Sequence, residues 1–193
     1  LNKTLVETFL LSGDIYEDSK RHNVVFVGRD RSGTPRYAHV RGTQESFRQD
    51  IAGSDKSYPF RYEGNGSQLF VFEAPIDLLS HGALMQLSMK KQCAAVGMSE
   101  MYRSDCWLGI NRVSLSGCSD IALKQRLSDD PRITQIVFCL DNDERGRQAT
   151  EKLMSDYSAN YTVKVSIPPY GKDWNDTLKF IVTSKNKKTN TEE

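Results

Sequence analysis

The sequence lacks the features that mark membrane proteins, secreted proteins and strongly basic nucleic-acid-binding proteins. No apolar run reaches the length of a membrane-spanning helix, and the chain does not begin with a recognisable signal peptide. The formal net charge is only +1, so any contact with nucleic acid must use a local basic patch. These absences lead us to expect a cytoplasmic protein that does not bind a membrane.

Cysteine is scarce, and its spacing does not suit zinc. The four cysteines lie 13, 12 and 21 residues apart and form no Cys-x-x-Cys pair; they are Cys93, Cys106, Cys118 and Cys139. Structural zinc sites use closely spaced cysteine and histidine pairs. We therefore expect free thiols in a reducing compartment and no zinc in this chain. The first residue is Leu1 rather than methionine, which suggests a piece of a longer protein.

The 193 residues divide near a glycine-rich stretch, Glu63–Ser67, which has the composition of a short flexible linker. Before it, a helix over residues 3–11 and a hairpin over residues 24–41 predict a small β-rich (α+β) subdomain, residues 1–66. Further short strands are expected near residues 47–51 and 58–62.

Strand and helix patterns alternate after the linker. Strands are predicted over residues 69–72, 112–115, 133–140 and 162–167, and helices over residues 75–89, 119–127, 144–157 and 174–182. This alternation predicts an α/β domain over residues 67–183, with a mainly parallel sheet flanked by helices. Residues 184–193 are polar and are predicted to be disordered. The sequence suggests no role for residues 90–108.

Carboxylates follow two of the predicted strands. Glu73 follows the apolar run Leu69–Phe72, and Asp141 and Asp143 follow the run Ile136–Leu140. The carboxyl ends of parallel strands meet at one edge of a sheet, where open α/β sheets carry out their chemistry. Converging carboxylates repel one another unless a cation lies between them, and Mg²⁺ prefers such oxygen ligands. The sequence therefore predicts a magnesium site at this edge.

Three motifs in this order resemble the Toprim domain, which bacterial-type primases, topoisomerases and some nucleases share. The matching residues are Glu73, then Asp141-Asn142-Asp143, then Gly171-Lys172-Asp173-Trp174-Asn175-Asp176. The resemblance runs from about Gln68 to Val182. It implies a Toprim-type fold with Mg²⁺ as the cofactor, and Mn²⁺ could replace it.

The resemblance also implies roles for individual residues. Glu73, Asp141, Asp143 and Lys172 would be catalytic. Glu73, Asp141, Asp143 and Asp173 would bind the metal, with Glu73 as ligand or general base and Lys172 as a phosphate contact. Asp77, Asn175 and Asp176 would position these residues without binding the metal themselves. Asp77 could instead stabilise the first turn of its helix, since a carboxylate there favours the helix dipole.

The predicted hairpin region is locally basic. From Lys20 to Arg48 there are seven lysines and arginines against two acids, with aromatic residues between them. Basic side chains with nearby rings suit a nucleic-acid strand, and the residues we assign to this contact are Arg29, Arg31, Arg36, Arg41 and Arg48. A solvated face of the hairpin is the alternative explanation. The region resembles the part that precedes Toprim in bacterial-type primases, where it guides the template.

These observations support three hypotheses. The first is primase-like nucleotidyl transfer on single-stranded DNA, with nucleoside triphosphates as substrates. The second is a Toprim nuclease, and the third is a non-catalytic nucleic-acid-binding module. A topoisomerase needs a tyrosine nucleophile, which no pattern singles out. The sequence around Lys172 resembles that of Toprim proteins from plasmids and other mobile elements. The resemblance implies a bacterial protein whose partners are a helicase, a relaxase or other parts of a larger polypeptide.

Overall fold

The computed structural model describes residue 1 and residues 3–95 and 109–189. Its helices are α1 (Lys3–Leu11), α2 (Pro75–Ala95), α3 (Ile121–Asp129), α4 (Glu144–Tyr157) and α5 (Trp174–Thr189). Its strands are β1 (Ile15–Glu17), β2 (Val24–Arg29), β3 (Pro35–Arg41), β4 (Arg48–Asp50), β5 (Arg61–Tyr62), β6 (Gln68–Phe72), β7 (Asn111–Ser114), β8 (Gln135–Phe138) and β9 (Thr162–Val165). The strands form two sheets, which we call sheet A and sheet B.

Sheet A is antiparallel and has the strand order β1-β2-β3-β4. The predicted hairpin is β2–β3, in which Val24 pairs with Arg41 and a bulge at Gly28/Arg29 precedes the turn. The sequence analysis missed β1 because its three residues are too short to show an alternating pattern and only Ile15 is buried.

Sheet B has the order β5-β7-β6-β8-β9, with β5 antiparallel to β7 and the remaining pairs parallel. The predicted α/β fold, a mainly parallel sheet flanked by helices and preceded by a β-rich part, is confirmed. Successive residues of β6 pack on opposite faces of the sheet, as the period of two requires: Phe72 faces one core and Val71 faces the other. Helices α3 and α4 cover the Val71 face.

The core on the Phe72 face joins the two parts of the chain. It contains Leu5 and Phe9 from α1, Phe26 from sheet A, and residues of α2, β8 and α5. Phe60 is fully buried in it, directly before β5, which completes one side of sheet B. Sheet A and sheet B therefore share one hydrophobic core.

The segment Glu63–Ser67 is held in place, although its composition predicts flexibility. The backbone N–H of Gly66 donates to the Gly109 carbonyl at 2.9 Å, and the Asn111 side-chain amide donates to the Gly66 carbonyl at 2.7 Å. A Cβ on Gly64 would lie 2.7 Å from the Gly109 backbone, so the glycine permits close chain approach rather than mobility.

Two helices extend beyond their predicted ends. α2 reaches Ala95 and α5 reaches Thr189, which lies inside the segment 184–193 for which the composition predicts disorder. Helix α5 therefore continues past its predicted end at residue 182, and residues 190–193 lie outside the described residues, as do residues 96–108. No helix within the described ranges has the length and apolar character needed to cross a bilayer.

Candidate active site

The acidic residues after β6 and β8 lie at one edge of sheet B. The two strands are parallel neighbours, with Val71 opposite Phe138, so the segments that follow them leave the sheet side by side. The side chain of Asp141 is 10% exposed. Burial and then the negative charge of Glu73 raise the pKa of Asp141 to about 6. The structure thus brings Glu73 and Asp141 into electrostatic contact, as parallel strand geometry requires.

A lysine lies between the two aspartates of the Asp-x-Asp motif. The Lys172 Nζ is 3.2 Å from Asp141 Oδ2 and 3.0 Å from Asp143 Oδ2. These two carboxylates raise the pKa of Lys172, so it remains a cation at neutral pH. The backbone N–H of Gly146 and then Lys172 lower the pKa of Asp143. The motif therefore holds a positive charge between two carboxylate oxygens.

Backbone contacts hold the two loops of the site together. The N–H of Asn142 donates to the Lys172 carbonyl at 2.7 Å, and the indole N–H of Trp174 donates to the Cys139 carbonyl at 3.0 Å. A Cβ on Gly146 would lie 2.1 Å from the Asp141 carbonyl oxygen, so only glycine allows α4 to begin this close to the motif. The position of Lys172 relative to the aspartates thus depends on main-chain contacts.

Glu73 carries an orphaned oxygen. Its Oε2 is buried and has no hydrogen-bond partner among the described residues. Its backbone carbonyl accepts the N–H of Gly117 at 3.1 Å, and the thiol of Cys118 lies beside the carboxylate, where burial and then the charge of Glu73 raise the thiol pKa. A buried carboxylate oxygen without a donor is stabilised by a cation or a proton donor.

Asp77 lies in the first turn of α2, close to the acidic residues, and is 3% exposed. Burial raises its pKa to about 7, and the charges of Asp173 and Asp141 add to the effect. Asp77 accepts the backbone N–H of Asn175 at 3.1 Å, so it connects α2 to the start of α5. This contact favours the supporting role over the stabilisation of its own helix, the two alternatives that the sequence leaves open.

The remaining residues of the last motif shape its loop. Asp173 accepts the N–H of Asp176 at 2.7 Å and so stabilises the first turn of α5. Asp176 in turn accepts the N–H of Lys172 at 3.3 Å. Asn175 Oδ1 accepts the Ser80 hydroxyl at 3.4 Å, so its side chain is directed toward α2.

The predicted metal ligands are not gathered around one point. Within the ranges that the structure describes, no three His, Cys, Asp or Glu side chains are arranged to hold a metal ion. Asp143 and Asp173 each accept an N–H of the helix that follows them, and Lys172 occupies the space between Asp141 and Asp143. The donors still fit a hard cation, because all are carboxylates and one oxygen of Glu73 lacks a donor.

The predicted nucleic-acid contacts divide into two groups. Arg41 and Arg48 are paired across β3 and β4 at one end of sheet A, whereas Arg29, Arg31 and Arg36 lie at or next to the hairpin turn at the other end. At a rise of about 3.4 Å per residue, Arg36 and Arg41 are separated by about 17 Å along β3.

Charge pairing also differs among these five arginines. Arg29 Nε is 2.6 Å from Asp14 Oδ1 and Arg36 Nε is 3.9 Å from Asp30 Oδ2. Arg41, Arg48 and Arg31 have no ion pair within the described part of the chain. The positive charge of Arg41 lowers the pKa of Asp77, although burial and the charges of Asp173 and Asp141 outweigh this effect. The aromatic side chains Phe26 and Tyr37 are buried and not available to bases.

Sequence reasoning missed two neighbours of Glu73 and Asp143. Cys118 lies beside Glu73, and Arg145 is close to both Cys118 and Asp143. The available signal was position: Cys118 follows the turn after β7, and Arg145 follows the Asp-x-Asp motif directly. His81 is buried and its ring packs against Phe72 and Trp174.

Comparison with known proteins identifies the family to which the chain belongs. The model of a Toprim-like family matches residues 70–178, and the model of a protein of unknown function, DUF3991, matches residues 1–66. The chain therefore belongs to the Toprim-like family. No curated protein matches it.

Solved structures show the same fold in primases. The primase fragment of the bacteriophage T7 primase-helicase protein aligns with 18% identity and a TM-score of 0.59, covering 92% of this chain and 66% of that one. The primase domains of T7 bound to an RNA/DNA hybrid and dTTP align with 21% identity and a TM-score of 0.57, covering 94% and 82%. A DNA primase domain from Pseudomonas aeruginosa aligns with 16% identity and a TM-score of 0.51, covering 93% and 56%. The chain thus spans about two thirds or less of two of these three neighbours.

Proposed function

We propose that this chain is the catalytic part of a primase-like nucleotidyltransferase that acts on single-stranded DNA. The observation that carries the proposal is the Lys172 ammonium between Asp141 and Asp143, beside a buried Glu73 oxygen without a donor. These groups lie at the carboxyl edge of a parallel sheet, in a fold that primase structures share. Such an arrangement suits nucleotidyl transfer, because carboxylates can hold metal ions that neutralise phosphate charge and the ammonium adds a further positive charge.

Each side chain then has a defined task. Glu73, Asp141, Asp143 and Asp173 would hold Mg²⁺ or Mn²⁺, which supplies charge neutralisation for the triphosphate when bound. Lys172 is half exposed on a flexible stem, so its ammonium can exchange a carboxylate for a phosphate oxygen. Asp77, Asn175 and Asp176 keep the loop of Lys172 attached to α2 and α5.

The template would approach from sheet A. Arg41 and Arg48 are without an ion pair in the described ranges, and Arg41 lies within electrostatic range of Asp77. Cations that are not already neutralised contribute most to binding a phosphate backbone. We assign Arg41 and Arg48 to the template path, whereas Arg29 mainly stabilises the junction of α1 and sheet A through Asp14.

The neighbours support a place within a larger replication protein. One is a fragment of a primase-helicase, and another is bound to an RNA/DNA hybrid and dTTP. We propose that this chain likewise works beside a helicase, a relaxase or further domains of its own polypeptide, in a bacterial plasmid or another mobile element. Its expected location is the bacterial cytoplasm.

Primer synthesis tests the proposal. The protein is incubated with single-stranded DNA, labelled nucleoside triphosphates and Mg²⁺ or Mn²⁺, beside Glu73→Gln and the matched control Glu7→Gln. Glu7 is an exposed glutamate of α1, and its carboxylate pairs with Lys3 of the same helix. We expect short labelled oligomers from the wild type and from Glu7→Gln, and none from Glu73→Gln.

Two other results would each overturn the proposal. Metal-dependent shortening of the DNA without oligomers, lost in Glu73→Gln, would identify a nuclease. DNA binding that is unchanged in Glu73→Gln, with neither product, would identify a non-catalytic binding module.

A further inference from the structure

An exposed pair of aromatic rings lies next to the loop of Lys172. The rings of Tyr170 and Phe180 are stacked, with centroids 4.2 Å apart and an interplanar angle of 23°. Tyr170 is 47% exposed and Phe180 is 50% exposed. Neither ring belongs to the hydrophobic cores of the described chain. The pair therefore presents aromatic surface to solvent.

Two hydrogen bonds fix the position of this pair. The N–H of Tyr170 donates to Thr177 Oγ1 at 3.2 Å, and the Thr177 hydroxyl donates to the Tyr170 carbonyl at 2.6 Å. Thr177 is 1% exposed and belongs to α5, which also carries Phe180. The loop before Lys172 is thus attached to the helix, and the rings are ordered before any ligand binds.

Two lysines lie close to the pair along the chain, one in the loop and one in α5. Lys172 follows Tyr170 by two residues, and its N–H contacts Asp176 Oδ2 at 3.3 Å. Lys179 Nζ is 4.0 Å from the other oxygen of Asp176, so a second lysine lies beside the same loop. An ordered aromatic face with flanking ammonium groups has the composition of a single-strand binding surface, in which rings stack on bases and cations contact phosphates.

We propose that Tyr170 and Phe180 form a base-stacking subsite for single-stranded nucleic acid, next to the phosphate position at Lys172. The inference rests on the proposed function and extends it, because it identifies where a base outside the acidic site is held. Stacking does not depend on base identity, so the subsite would order the strand without selecting its sequence.

A nucleic acid fits this surface better than another occupant for a geometric reason. The pair is continuous with the Lys172 site, since Tyr170 lies in the loop that places Lys172 against Asp141 and Asp143. A strand that has a phosphate at Lys172 therefore has an aromatic face within reach of an adjacent base. The exposed apolar side chains Ile167 and Val182 make a protein partner the competing occupant.

Fluorescence of 2-aminopurine in single-stranded DNA measures the stacking directly. Binding of the wild-type protein is expected to change the emission of the labelled base, because stacking on an aromatic ring quenches it. We expect Tyr170→Leu and Phe180→Leu to abolish this change and to weaken binding by roughly fivefold or more. Tyr170→Phe keeps the ring and should retain both. Tyr16→Leu is the matched control, since Tyr16 is 49% exposed on β1, a strand that carries none of the arginines assigned to the template.

Primer synthesis and thermal unfolding are measured on the same preparations, so that failure of the subsite, failure of the proposed function and misfolding of a variant can be distinguished. A wild-type fluorescence change that persists in both leucine variants would overturn the subsite and leave the proposed function untouched. A lost change with an unaltered unfolding temperature supports the subsite, even if no primers form and the proposed function fails. A shift in oligomeric state in the leucine variants, without an effect on fluorescence, would identify a protein interface and overturn the inference.

Discussion

The acidic edge of sheet B and the arginines of sheet A were both predicted as sites from charged residues in the sequence, but their geometry differs. Glu73 and Asp141 follow neighbouring parallel strands and interact electrostatically, and Lys172 brings Asp143 into the same group. The five arginines come from an antiparallel hairpin and occupy its two ends. Parallel strands deliver their carboxyl ends to one edge, whereas successive antiparallel strands deliver theirs to opposite edges.

This difference in strand direction indicates which clusters of charged residues in a sequence are good predictors of a functional site. Charges that directly follow neighbouring parallel strands come to the same edge of the sheet, because the sheet aligns the ends of its strands. Charges within a hairpin are distributed by register, and some are neutralised locally, as Arg29 is by Asp14. Composition alone therefore overstates the basic surface of sheet A.

Removing one carboxylate of the acidic edge should have the largest effect. We expect Asp141→Asn to reduce metal-dependent product formation by about a thousandfold, because a charged metal ligand of this kind contributes several kcal/mol to the transition state. The control is Asp156→Asn, an exposed aspartate of α4, which should stay within twofold. Initial rates measured at saturating Mg²⁺ decide between the outcomes, and equal rates in the two variants would contradict the assignment of Asp141.

Removing Phe60 tests whether the two regions are one cooperative unit. Phe60 is fully buried, with its ring centroid 4.8 Å from that of Phe9 and 5.2 Å from that of Phe26. We expect Phe60→Ala to lower the free energy of unfolding by about 3–5 kcal/mol. Denaturant unfolding followed by far-UV circular dichroism and by tryptophan fluorescence should give coincident transitions. Separate transitions in the variant would show that sheets A and B fold independently.

The pH dependence of stability should report the buried carboxyl of Asp77. Its pKa is about 7 in the folded protein against 3.8 for an ordinary aspartate, so the folded state binds more protons between these pH values. Its contribution to the free energy of unfolding therefore falls as pH rises from about 4 to about 7. Relative to wild type, metal-free Asp77→Asn should gain about 2–3 kcal/mol between pH 5 and pH 8. Denaturant titrations at both pH values measure the gain, and parallel pH profiles would refute it.

The smallest effect concerns the two ends of sheet A. Arg41→Ala should weaken single-stranded DNA binding by about tenfold and lower the salt slope by about one, because Arg41 is not neutralised within the described chain. Arg36→Ala should stay within twofold, since Asp30 already pairs with Arg36. Fluorescence anisotropy at several salt concentrations gives both quantities. Equal losses for the two variants would mean that the whole hairpin binds the strand.

Much of the fold was predictable because its signals are local. The apolar run that ends at Glu73 and the run that ends at Asp141 identified β6 and β8, and glycine at position 146 agreed with the close start of α4. β1 and the packed state of residues 63–67 were not predictable. β1 is too short to show a period, and the glycines at 64 and 66 are ordered by contact with residue 109, far away in the sequence.

The sequence motifs named the candidate site residues but not the contacts between them. The motifs named Lys172 as a phosphate contact, yet its position between Asp141 and Asp143 depends on the hydrogen bond from Asn142 to the Lys172 carbonyl. The electrostatic interaction between Arg41 of sheet A and Asp77 of α2 links residues that are remote in the chain, and no sequence spacing encodes it.

The Toprim-like class, the order of strands and helices after residue 67, and the carboxylates at the strand ends could all be read from the sequence. These follow from periodicity and from the direction of parallel strands, which are properties of short segments. The folded structure was needed to show which arginines lack an ion pair within the described residues, which oxygen of Glu73 lacks a donor, and that Tyr170 and Phe180 stack in and next to the loop of Lys172. These depend on burial and on the distance between segments that are remote in the chain, which local patterns do not contain.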